Sequence, residues 1–81
     1  MLTEHQIAAL RRTPADPNRV KRAMQLLGLT QVQVAAAVGM TQSHISEIAN
    51  GNYSSLPLET AQKIADRFGC STDLLFPLRA A

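Results

Sequence analysis

A chain of 81 residues with 46 % hydrophobic content can bury one small core, so a single folded domain is expected. Two Phe, one Tyr and no Trp leave the packing to aliphatic side chains, and the abundance of Ala, Leu, Ile, Val and Gln favours an all-α chain. A net charge of +2 is too small to mark a polyanion-binding protein by itself, and the single cysteine excludes an internal disulfide or a thiolate metal cluster.

Distribution of charge says more than its sum. Arg11, Arg12, Arg19, Lys21 and Arg22 face only Asp16 between positions 11 and 22, whereas positions 41 to 58 hold no Lys or Arg. A solvated helix face explains such a cluster as readily as a binding surface does. No apolar run approaches the roughly 18 residues of a membrane span, and Met1 to Arg12 lacks the apolar stretch of a signal peptide. A cytoplasmic, nucleoid-associated protein is the expectation. Cys70 reads as a small apolar residue rather than a redox centre.

The chain opens with a helix start: Thr3 can cap the amide of Gln6, Gln6 can reach back, and Leu2 can staple to Ile7. A short helix to about Arg12 follows, and Pro14 and Pro17 then interrupt it. Asp16 is the expected cap of the next helix, with Pro17 in its first turn and Val20, Met24 and Leu27 on its apolar side, closed by Gly28. Thr30 caps a helix with the stripe Val34, Ala35, Val38, and Gly39 supplies a sharp turn. Thr41 caps the next helix, which buries Ile45, Ile48 and Ala49 and leaves Ser43, Ser46, Glu47 and Asn50 on its other face.

Gly51 should end that helix, and Asn52 to Ser55 form a polar loop closing on Leu56 and Pro57. A further helix turns Ala61, Ile64, Ala65 and Phe68 inward and stops at Gly69, and Ser71 caps a last short helix carrying Leu74 and Leu75. Residues 1–15 thus read as an N-terminal helix and linker, and residues 16–81 as the main body.

The two short helices on either side of Gly39 are apolar on facing sides, and small Ala35 lets them cross closely. Such a pair holds its second helix clear of the body, able to enter a major groove roughly 12 Å wide. The run LTQVQVAAAVGMTQSHISEIANG, Leu29 to Gly51, resembles the helix-turn-helix of phage lambda repressor, Cro and their bacterial relatives. The segments LLGLTQ, Leu26 to Gln31, and AQKIADRFGCSTDLLF, Ala61 to Phe76, are similar to the same family. The resemblance implies a compact five-helix lambda-repressor-like DNA-binding domain, here with an additional short N-terminal helix.

It also implies roles. The position matching Gln31 binds a phosphate and can brace that of Gln42; those matching Thr41, Gln42, Ser43 and Glu47 face the groove, and that of Asn50 meets the backbone. The chemistry agrees, since Gln42 can give adenine a bidentate amide pair, Ser43 and Ser46 can bond base edges, and Glu47 can accept from cytosine N4. Relatives often carry cations in the loop after the recognition helix, where Asn52, Tyr53, Ser54 and Ser55 are neutral. Phosphate contacts are therefore assigned to Arg19, Arg22, Gln31, Asn50, Tyr53 and Ser54. Some relatives join the first and recognition helices by an ion pair, and the matching Met24 and Ala49 should pack without buried charge.

The expected function is a Cro-like transcriptional repressor that binds double-stranded DNA at a palindromic operator as a homodimer, through Leu74, Leu75, Phe76 and Leu78. No metal, cofactor, small-molecule ligand or membrane partner is expected. His44 reads as a polar helix residue, and no nucleophile and base stand at an enzyme's spacing. The alternative is an antitoxin that masks a toxin partner through Leu2 to Leu10 or Leu74 to Leu78 while regulating its own operon.

Overall fold

Four of the six helices among the described residues begin on a hydroxyl that accepts a backbone N–H three residues ahead. A computed structural model of the protein describes residues 1–15 and 17–77, and in it Thr3 caps α1 (Glu4–Arg11), Thr30 caps α3 (Gln31–Val38), Thr41 caps α4 (Gln42–Ala49) and Ser71 caps α6 (Thr72–Leu75). These bonds run from 3.1 to 3.3 Å, and each such cap stabilises its helix by about 1 kcal/mol. At α1 and α3 the device is reciprocal: the Gln6 and Gln33 amide oxygens accept the Thr3 and Thr30 N–H at 2.9 Å. The remaining helices are α2 (Val20–Leu27) and α5 (Leu58–Phe68). All regular structure among the described residues is helical.

One expected start moves. Pro17 does not enter the first turn of α2, which begins at Val20, and the cap expected from Asp16 lies outside the described residues. Instead Asn18 Oδ1 accepts the Val20 N–H at 3.0 Å. The Arg19 N–H leaves the helix altogether and donates to the Leu75 carbonyl at 2.9 Å. Residues 17 to 19 thus form the turn between α1 and α2, because their polar groups are committed to distant partners.

The core gathers Leu10, Val20, Val34, Ile45, Ile48, Ile64, Phe68 and Leu75, all essentially inaccessible. Phe68 is the largest of them, and fully burying such a side chain contributes about 1.5–3 kcal/mol. Leu2 and Leu10 belong to this cluster, and the Leu2 N–H donates to the Phe68 carbonyl at 2.9 Å. The N-terminal helix is therefore packed into the same core as the helices that follow it. Met24 and Ala49 are both buried there without charge.

Between α3 and α4 the chain reverses at Gly39, whose φ of 72° is left-handed. Ala35 is buried at this crossing, and its carbonyl accepts the Met40 N–H at 2.9 Å. At the far end of α4 the Gly51 N–H donates to Ile48 O and the Asn52 N–H to Glu47 O, the paired bonds of a glycine helix stop. Gly51 has φ 76°, and a Cβ there would overlap the Pro17 ring. Gly51→Ala should accordingly cost more than the about 1–2 kcal/mol of the left-handed backbone alone. Gly28→Ala is the control, since φ is 67° but nothing lies within 4 Å of its Cβ position. Thermal unfolding of both variants should show the larger loss at Gly51; equal losses would mean that Pro17 yields freely.

Candidate nucleic-acid interface

Burial of Ile45, Ile48 and Ala49 fixes which way α4 faces, and it turns Gln42, Ser43, Glu47 and Asn50 to solvent with Ser46 half-buried between them. Thr41 is exposed at the head of the helix, its oxygen committed to the His44 N–H and its own O–H free to donate. Gln31 opens α3 beside this face: Gln31, Gln42, Ser43 and Ser46 line one shallow cleft of about 340 Å³. The helix starts meeting there have no acidic residue in their first turns, so their free N–H groups and positive dipole ends favour an anion. Glu47 is the sole carboxylate on α4.

At the other end of α4, Asn50 is exposed, with its amide 3.4 Å from Ser46 Oγ. Ser54 is exposed in the following loop, while Tyr53 is half-buried and its hydroxyl accepts from Asn18 Nδ2 at 3.3 Å. That hydroxyl keeps its own proton for an outside acceptor.

Arg19 is placed differently from its expected role. Its Nε donates to Thr13 O at 2.8 Å, Nη1 to Leu74 O at 3.0 Å and Nη2 to Arg11 O at 3.1 Å. The planar fork is occupied in joining α1, α2 and α6, and a phosphate would have to displace those carbonyls. Arg22, by contrast, is exposed on α2 with one bond to Gln25 Oε1 at 3.2 Å.

The expected association residues divide likewise. Leu74 and Leu75 are 7 % and 0 % exposed, spent on the chain's own core, so they are not free to pack on a second subunit. Phe76 remains half-buried, and Leu78 lies outside the described residues.

Asn18 was not legible as a site residue. It is the one buried polar side chain among the described residues, and its Nδ2 donates to the Ile48 carbonyl at 2.8 Å as well as to Tyr53. The start of α2 is thereby latched to the end of α4 and its loop. The only sequence signal was an Asn, a favoured capping residue, just ahead of an apolar helical pattern.

Cys70 is half-buried, and burial pushes its thiol up to about 11. It should therefore stay protonated and alkylate with iodoacetamide far more slowly in the folded protein than in the unfolded chain at about pH 8. Equal rates by mass spectrometry would contradict this placement. Among the described residues, no group of three His, Cys, Asp or Glu side chains is placed to hold a metal ion, and no helix is long and apolar enough to cross a membrane.

Searches of curated proteins and of solved structures return no match. Residues 20–75, more than half of the chain, match a family model described as helix-turn-helix. With α3 and α4 crossing at Gly39 and the polar face of α4 turned outward, the chain belongs to this lambda-repressor-type helix-turn-helix family of DNA-binding transcription regulators.

Proposed function

We propose that the protein is a Cro-like repressor that occupies a palindromic operator as a homodimer, in the cytoplasm at the nucleoid. The observation that carries this reading is the cleft where Gln31 meets Gln42, Ser43 and Ser46. A helix start, which suits a phosphate, there lies beside side chains whose chemistry suits base edges. Gln42, Ser43 and Glu47 then meet base edges with Thr41 and Ser46 beside them, while Gln31, Asn50, Tyr53, Ser54 and Arg22 meet phosphates.

Each chain carries one α4 and is 32 Å in its longest described dimension, so reading two half-sites about one helical turn apart takes two chains. A groove of about 850 Å³ lies beside the loop that follows α4, and Tyr53, Leu56, Leu58, Phe76 and Pro77 are among the residues lining it. Leu58 is 65 % exposed at its edge. Ser54, Ser55, Thr72 and Asp73 also line it, and this mixed apolar and polar surface, continuous with the proposed DNA-facing loop, is the one a second copy would cover. Leu2, Leu10, Leu74 and Leu75 are already consumed by the core, so neither a second copy nor a toxin would dock through them.

Selection of bound sites from random duplexes should return a two-fold symmetric sequence with half-sites about 10–10.5 base pairs apart. Light scattering should show a dimer on that DNA, and Leu58→Glu should weaken its assembly without unfolding the chain. A monomer bound to a single asymmetric site would sink the reading.

A further inference from the structure

A face that enters a groove needs cations nearby to neutralise phosphates, yet positions 41 to 58 contain none. The cations lie instead at the corner where α1 meets α2, largely in the segment ahead of the matched residues 20–75. Gln6 Nε2 donates to the Leu26 carbonyl at 3.0 Å, so the start of α1 lies at the end of α2. The Arg19 fork, through the carbonyls of Arg11 and Thr13, holds the end of α1 at the start of α2. That same corner is latched by Asn18 to Ile48 at the end of α4. Two consecutive links thus tie the end of α1, which carries Arg11 and Arg12, through the start of α2 to the end of the groove-facing helix.

Arg11, Arg12 and Lys21 are exposed, and the one ion pair among the described residues, Lys63 with Glu59, lies elsewhere on α5. Asp16, the one acid in this stretch of sequence, is outside the described residues. Of the cluster, Arg19 is tied to distant backbone carbonyls and Arg22 to Gln25 on its own helix, among the described residues. We propose that the N-terminal helix builds a second phosphate-binding surface, in which Arg11, Arg12 and Lys21 grip the duplex backbone beside the end of α4. The inference rests on the reading of α4 as a groove-facing helix, and it assigns the extension a binding role in addition to covering the core.

The test is the salt dependence of binding to a mixed-sequence duplex of about 30 base pairs between about 50 and 200 mM salt. Arg11→Ala with Arg12→Ala keeps the carbonyl that Arg19 binds and places good helix formers at the end of α1. Per bound chain the pair should lower the slope of log K against log salt by about 2, and adding Lys21→Ala should take it toward 3, at about 0.9 per phosphate lost, so a bound dimer should lose about twice as much. Lys63→Ala with Arg67→Ala is the control, because those side chains border the far end of α3 at Ala37 and Val38. It should leave the slope close to the parent's. Ethylation interference should lose one or two phosphates per half-site in the first variant, while the bases preferred on the selected operator stay the same.

An unchanged slope in a folded Arg11, Arg12 variant overturns the inference, as does an equal fall in the α5 control, which would mean that net charge alone matters. Loss of sequence preference in the parent protein itself would count against α4 instead, so the two failures are distinguishable.

Discussion

Asn18→Ala is expected to lower the stability of the fold by about 1–3 kcal/mol, the cost of leaving buried polar groups without partners. At this chain length each kcal/mol corresponds to a fall of roughly 4–8 °C in Tm. Three bonds are lost together: to the Val20 N–H, the Ile48 carbonyl and the Tyr53 hydroxyl. The side chain is 7 % exposed, so water cannot simply replace them. Asn50→Ala removes an exposed amide with a single bond at 3.4 Å, and should stay within about 0.5 kcal/mol of the parent. Tyr53→Phe deletes only one acceptor and should fall between the two. A double-mutant cycle of Asn18 and Tyr53 should show coupling, since the two side chains touch. Circular dichroism melts that rank Asn18→Ala with Asn50→Ala would dismiss the latch. DNA binding by Asn18→Ala should also weaken at temperatures where the protein remains folded, because the end of α4 is no longer held against α2.

The second large effect concerns recognition. Gln42→Ala should cost about 1–3 kcal/mol on the selected operator and relax the choice at one base pair in each half-site. Arg22→Ala should instead weaken all duplexes alike and flatten the salt dependence, because a phosphate contact carries no sequence information. Glu47 gives the sharper pattern. A carboxylate near phosphates is repelled, so if it makes no specific bond, Glu47→Gln should help binding to every sequence. If Glu47 accepts from cytosine N4, the same change should lower affinity for the original base and raise it for adenine at that one position. Binding of parent and variant to single-base operator variants at one salt concentration separates these outcomes. Unchanged discrimination in Gln42→Ala would remove α4 from its assigned role.

Local chemistry made the helices legible. Thr3 with Gln6, Thr30, Thr41 and Ser71 mark starts because each hydroxyl satisfies an amide only three residues away, and Gly28, Gly39 and Gly69 mark stops through their own backbone freedom. The inward sides of α2, α4 and α5 followed from spacing, since a helix brings positions three and four apart onto one face. The expected polar face of α4 is the exposed one for the same reason, although which bases it meets depends on DNA.

Tertiary structure decided whatever depends on partners far along the chain. Asn18 bonds a residue 30 positions away and Arg19 one 55 positions away; these contacts move the start of α2 past Pro17 and withdraw Arg19 from the set of available cations. Leu74 and Leu75 look like surplus apolar surface beside a four-residue helix, yet both are buried in the shared core. The sequence by itself determined where turns of helix can begin and end and which side of each is apolar, because those preferences act within one or two turns. Only the packed chain determined which polar groups are consumed by the fold and which stay exposed for DNA, because a buried donor must be paired wherever its nearest acceptor lies.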